Sequence, residues 1–157
     1  MGMKPESSYD PRVLKMDTPE ACERFIINVR DTHPELVPQA RRRAVELKAQ
    51  QLGGKSQVEC EALEAVVAYE AILAERHGRK VSASRTHQMI RRHGILGAIE
   101  RAVNRPDDLS GYQQLVRLGM SELSFEAIVL RHPESFSTAA VKRCEERMAR
   151  YDEARGH

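Results

Sequence analysis

Tryptophan is absent from this chain of 157 residues, and aromatic residues make up only 4% of it. A core must therefore be assembled from Leu, Ile, Val, Ala and Met. Val, Thr and Tyr are too sparse to build several strands, which argues against a sheet protein. Long apolar runs are lacking too: no window approaches the ~18 residues that span a membrane. Residues Met1 to Met16 carry no apolar stretch behind a basic start, so no export signal is expected. Cysteine is scarce. Cys22, Cys60 and Cys144 are odd in number and far apart, with no CxxC pair and no metal-ligand spacing. That pattern excludes a disulfide framework or a zinc finger and fits reduced thiols in a cytoplasmic protein.

What is present points to helices. Hydrophobic residues make up 41% and charged residues 31% of the chain, enough of the former to collapse and fold. The residues between the apolar ones are mostly Arg, Glu, Ala, Gln and Lys, which lose little freedom in a helix. The expected fold is all-α: one compact domain over residues 17–157, about seven helices with short loops and no sheet, preceded by a flexible arm over 1–16. The arm is inferred from Pro5, Ser7, Ser8 and Pro11, which lie among scattered charges without a helical period.

Start and stop signals mark the helices. Thr18 before Pro19 offers a cap followed by a residue that needs no donor. Cys22, Phe25, Ile26 and Val29 then form one apolar face. A second helix is expected from Pro38 to Leu52, ended by Gly53 and Gly54 after a separate turn at 33–37. Ser56 to Glu59 has the capping-box form and opens a third helix, closed by Gly78, with Ala62, Val66, Tyr69 and Leu73 as its stripe. Leu63, Val67 and Ile72 widen that stripe and suggest a central position. Two shorter helices are expected on either side of Gly94, then helices near 109–118 and 122–131, and a last one from Ser137. There Phe136 and Val141 are placed as a hydrophobic staple, and Val141, Cys144, Met148 and Tyr151 form the buried stripe.

Charge is the one feature that departs from an ordinary helical domain. The net charge is only +2. Between residues 76 and 105, however, Arg76, Arg79, Lys80, Arg85, Arg91, Arg92, Arg101 and Arg105 stand against Glu100 alone. A concentrated basic face is what phosphate neutralisation and counterion release require. The competing explanation is that these cations pair with Glu59, Glu61, Glu64, Glu70 and Glu75 of the third helix, or simply face water. The helix–glycine–helix order invites a helix-turn-helix interpretation. Against it, His93 and Glu100 fall where buried apolar residues belong, and the segment after Gly94 offers few side chains to read bases. The residues selected for nucleic-acid contact, mainly with phosphate, are Arg76, Arg79, Lys80, Arg85, Gln88, Arg91, Arg92 and Arg101.

Phosphate-loop, dinucleotide, nucleophile-elbow, metalloprotease and calcium-loop motifs are all missing. His87 and His93 are six apart and do not share a helix face, so no metal site is expected. Cys22 and Cys144 lie on apolar stripes and are read as small core residues rather than nucleophiles. Glu122 and Glu126 share a helix face and are expected to meet solvent. The sequence thus leads to a non-enzymatic helical protein that associates with nucleic acid through the basic segment, without cofactor or membrane contact. The alternative is a protein-interaction module or a self-associating adaptor that does not bind nucleic acid.

Overall fold

The computed structural model describes residues 9–78, 84–105 and 110–155. Among them are eight α-helices, three short 3-10 turns and no strand, as the all-α expectation requires. The helices are α1 (Pro11–Leu14), α2 (Pro19–Val29), α3 (Val37–Gln50), α4 (Gln57–His77), α5 (Ser84–Val103), α6 (Ser110–Arg117), α7 (Phe125–Arg131) and α8 (Thr138–Arg155).

Local chemistry sets most of the boundaries. The Thr18 hydroxyl accepts from the Ala21 N–H at 3.1 Å, satisfying one of the orphan donors that open α2. Ser56 accepts from the Glu59 N–H at 3.2 Å. The Glu59 carboxylate reaches back to the Lys55 N–H at 2.9 Å, one residue beyond the usual capping-box partner. Ser124 and Ser137 cap α7 and α8 in the same way. Gly94 breaks α5, at φ 81° and ψ 170°, a conformation that costs a residue with a Cβ. The two short helices expected around it are therefore the halves of a kinked α5.

Residues 9–16 differ from the flexible arm expected over 1–16. Val13 is fully buried, and Asp10 caps the single turn of α1 by accepting from the Arg12 N–H at 2.9 Å. Hydrogen bonds from Arg12 hold the Asp10 carboxyl down at about 2. The Asp10 N–H donates to the Gln39 side chain at 2.7 Å, and the Arg43 Nε donates to the Met16 carbonyl at 3.2 Å. The Tyr9 hydroxyl donates to Glu46, and burial together with that carboxylate pushes the phenol well above its ordinary pKa. These contacts span tens of residues in sequence, so no local period announces them. Residues 1–8 of the expected arm lie outside the described residues.

The centre of the fold is α4, whose residues 61–68 are all buried. It touches α3, α5, α6 and α7. One core cluster gathers its Leu63, Val67, Ala68 and Ile72 with Val45 of α3 and with Leu115, Leu118, Met120 and Leu123. A second gathers its Ala62, Ala65 and Val66 with Ile99, Val103, Ile128, Val129 and Cys144. A helix buried all round shows no clean amphipathic stripe, which is why its sequence signal is a widened one. Among the described residues no helix is long and apolar enough to cross a membrane.

Candidate nucleic-acid interface

Several charged residues away from α5 are engaged within the fold. Arg42 pairs with Glu122. Arg131 donates through Nε to Glu61 at 2.8 Å and through its terminal nitrogen to the Glu122 carbonyl at 2.8 Å. His132 lies 3.0 Å from the other Glu61 oxygen. Arg147, 3% exposed, donates to Glu126 at 3.1 Å and also to the carbonyl of Arg105. Glu126 is 7% exposed, which corrects the expectation that it faces solvent; the buried guanidinium beside it compensates its charge.

The acids of α4 are also committed, but mostly not to the basic segment. Glu61 serves Arg131, His132 and the Gln57 amide. Glu59 caps its own helix. Glu70 reaches α5, and there it contacts His87 at 3.0 Å rather than an arginine. Glu61 has a measurable consequence. Burial pushes its carboxyl up, yet the hydrogen bonds from Gln57, Arg131 and His132 outweigh that and leave it below the ordinary carboxylate value. A depressed folded-state pKa adds stability that is present above the ordinary glutamate pKa of ~4.3 and is lost as pH falls through the folded value. Urea midpoints should therefore drop as pH falls below ~4.3. Glu61→Gln should flatten that limb, and an unchanged limb would mean that the network contributes nothing.

The selected residues fall into three groups. Arg79 and Lys80 lie outside the described residues, and Arg85 belongs to α5 but its side chain is likewise not described. Arg76 is exposed in the last turn of α4 and is engaged in an interaction. Gln88, Arg91, Arg92 and Arg101 are exposed on α5. Gln88 precedes Arg91 by three and Arg92 by four, so all three share one face. Among the described residues, Arg91, Arg92 and Arg101 form no ion pair.

His93 stands next to the kink, between the two halves of this surface. Some desolvation, and then the charges of Arg101 and Arg92, hold the His93 imidazole below its ordinary pKa. One arginine lies before Gly94 and the other after it, so a single side chain senses both. His93, Gly97, Glu100, Arg101 and Asn104 line a shallow groove here. Gly97 lets the turns approach: a Cβ built on it would sit 3.0 Å from the His93 Cβ. Glu100, the acid of the groove, accepts from the Ser137 N–H at 2.8 Å and so helps to hold the start of α8. Arg143 of α8 donates to the Asn104 carbonyl at 2.9 Å. His93 belongs to the surface although it was not among the residues selected; its place next to Gly94 was the available signal.

The thiols follow the core expectation. Cys22 and Cys144 are fully buried, and burial, followed by the nearby Glu126, pushes the Cys144 thiol up to about 12. Cys60 is exposed. Among the described residues no group of His, Cys, Asp or Glu is arranged to hold a metal ion. Compared with known proteins, the chain matches no family model, no curated sequence and no solved structure.

Proposed function

We propose that this protein binds the phosphate backbone of nucleic acid through the exposed surface of α5, as an accessory or regulatory factor rather than an enzyme. One observation carries the proposal: Arg91, Arg92 and Arg101 project on both sides of the Gly94 kink without an ion pair among the described residues. Elsewhere Arg12, Arg42, Arg131 and Arg147 have carboxylate partners, while Arg24, Arg30 and Arg150 are unpaired among the described residues but lie outside the segment in which Glu100 is the one acid against eight cations. Unpaired guanidinium groups are free to exchange their counterions for phosphate, and their fork geometry matches a phosphodiester. Gln88 adds a hydrogen-bonding group on the same face. Nothing at the site is built to read base edges, so weak sequence preference goes with this proposal.

The test is fluorescence anisotropy with labelled duplex DNA, single-stranded DNA and RNA across a salt series. The variant Arg91→Ala/Arg92→Ala/Arg101→Ala is measured beside the parent, with circular dichroism to show that it is folded. Expected are affinity that falls log-linearly with salt, and a salt slope reduced in the variant by roughly one per lost contact. Absence of binding to all three at low salt overturns the proposal.

A second function, self-association or protein docking, is favoured by a different place. Ile27 on α2 is 60% exposed, and its neighbour Ile26 lines a groove between α2, α3 and α4 whose apolar floor includes Ala44, Val67 and Ala71 and whose charged residues are Glu23, Arg41, Lys48 and Glu70. Binding that is insensitive to salt and to the arginine substitutions would point there.

A further inference from the structure

A different part of the molecule holds a cavity of about 230 Å³, partly open to solvent and lined by residues of α4, α5, α6, α7 and α8. We infer that this cavity is a binding site for an uncharged aromatic molecule of one or two rings bearing a single hydrogen-bonding group. The inference does not depend on the nucleic-acid proposal.

Size comes first. A cavity of roughly 150 Å³ lined by apolar side chains holds benzene, so this one has room for a single substituted ring or a small fused pair. Its walls suit a flat ligand. The Tyr69 and Phe125 rings lie 5.8 Å apart and are tilted by 53°, and Tyr112 is stacked on Tyr151 at 4.5 Å. Tyr69, Phe125 and Tyr112 all line the space, with Ile72 and Leu115 adding aliphatic surface. Aromatic faces and edges set in this way favour another ring through offset or edge-on contact.

Polarity comes next. Thr86, Glu126 and Arg147 also line the cavity, and they are 7%, 7% and 3% exposed respectively. Few polar groups in a mostly apolar wall are what fixes the orientation of a small ligand. The two charged ones cancel, since Arg147 donates to Glu126 at 3.1 Å. A charged ligand entering here would give up its hydration and meet a compensated pair, which costs more than an uncharged one with a single donor. Arg105 stands at the rim, exposed and in contact with the Met89 sulfur, where water screens it.

The probes are indole and phenol, with benzoate as the charged comparison, titrated into the full chain while amide chemical shifts are followed by two-dimensional NMR. Saturable shifts are expected at Thr86, Met89, Ala102, Gly111 and Tyr112, with benzoate at least tenfold weaker. The control is Gly111→Leu. Gly111 lines the cavity from α6, and a Cβ added there meets no atom within 4 Å. Its φ is not in the left-handed region, and leucine is the better helix former, so the plugged variant should stay folded by circular dichroism. It should bind indole at least tenfold more weakly than the parent. The inference is overturned if neither probe gives saturable shifts at millimolar concentration, or if the shifts map elsewhere. Undiminished binding by Gly111→Leu overturns it too, as does benzoate binding as tightly as indole.

Discussion

Arg147→Ala should lower the unfolding free energy by about 3–5 kcal/mol. The substitution takes from the Glu126 carboxylate, 7% exposed, a buried guanidinium donor at 3.1 Å. It also removes the donor to the Arg105 carbonyl, a contact that ties the end of α5 to α8. In a chain of this size such a loss is expected to lower the melting temperature by about 10 °C or more. Removing both charges is a different experiment. Glu126→Leu/Arg147→Met leaves no uncompensated ion and should recover most of the stability, because a buried pair exchanged for apolar side chains of similar volume is often neutral. Chemical denaturation of the parent, Glu126→Leu, Arg147→Met and the double variant gives the coupling energy. A loss below ~1 kcal/mol for Arg147→Ala would place the pair in water rather than in the interior.

The second large effect is expected at Ile99. Its side chain is fully buried against a cluster that includes Ala62, Ala65, Val66 and Ile128. Its α4 neighbours are small side chains fixed to a helix backbone, so the surroundings have little freedom to collapse into a void. Ile99→Ala should therefore cost about 2–5 kcal/mol, toward the upper part of that range. Ile27→Ala is the comparison. The same atoms are removed from a residue 60% exposed, and the expected change stays within about 0.5 kcal/mol. Equal losses at the two positions in urea titrations would contradict the placement of the core.

How much of this was legible in the sequence depended on whether the determinant is local. The caps at Thr18, Ser56 and Ser137 and the break at Gly94 act within a few residues of themselves, and each is visible as a residue type in the right place. The docking of residues 9–16 was not legible, because Tyr9 meets Glu46 and Asp10 meets Gln39 across a long sequence separation. Arg147 sits on the buried stripe of α8, three residues after Cys144 and four before Tyr151. A charged residue in that register was the signal of a buried pair, but its partner on α7 is supplied only by tertiary structure. At the candidate interface, the shared face of Gln88, Arg91 and Arg92 follows from helical spacing. That Glu61 would serve Arg131 and His132, and Glu70 His87, could not be read from composition, because those partners are brought in by tertiary structure.

The position of α4 also bears on how the molecule is made. Translation delivers α3 and α4 before α5 to α8, and these two bring Val45, Ala49, Leu63 and Val67 together. At that moment Ala62, Ala65 and Val66 have nothing to cover them, since Ile99, Ile128 and Cys144 belong to the half of the chain still to be synthesised. At roughly 5–20 residues per second the wait is on the order of ten seconds. For that interval the nascent chain offers water an apolar strip on its own central helix, and a chaperone at the ribosome exit has a defined surface to hold.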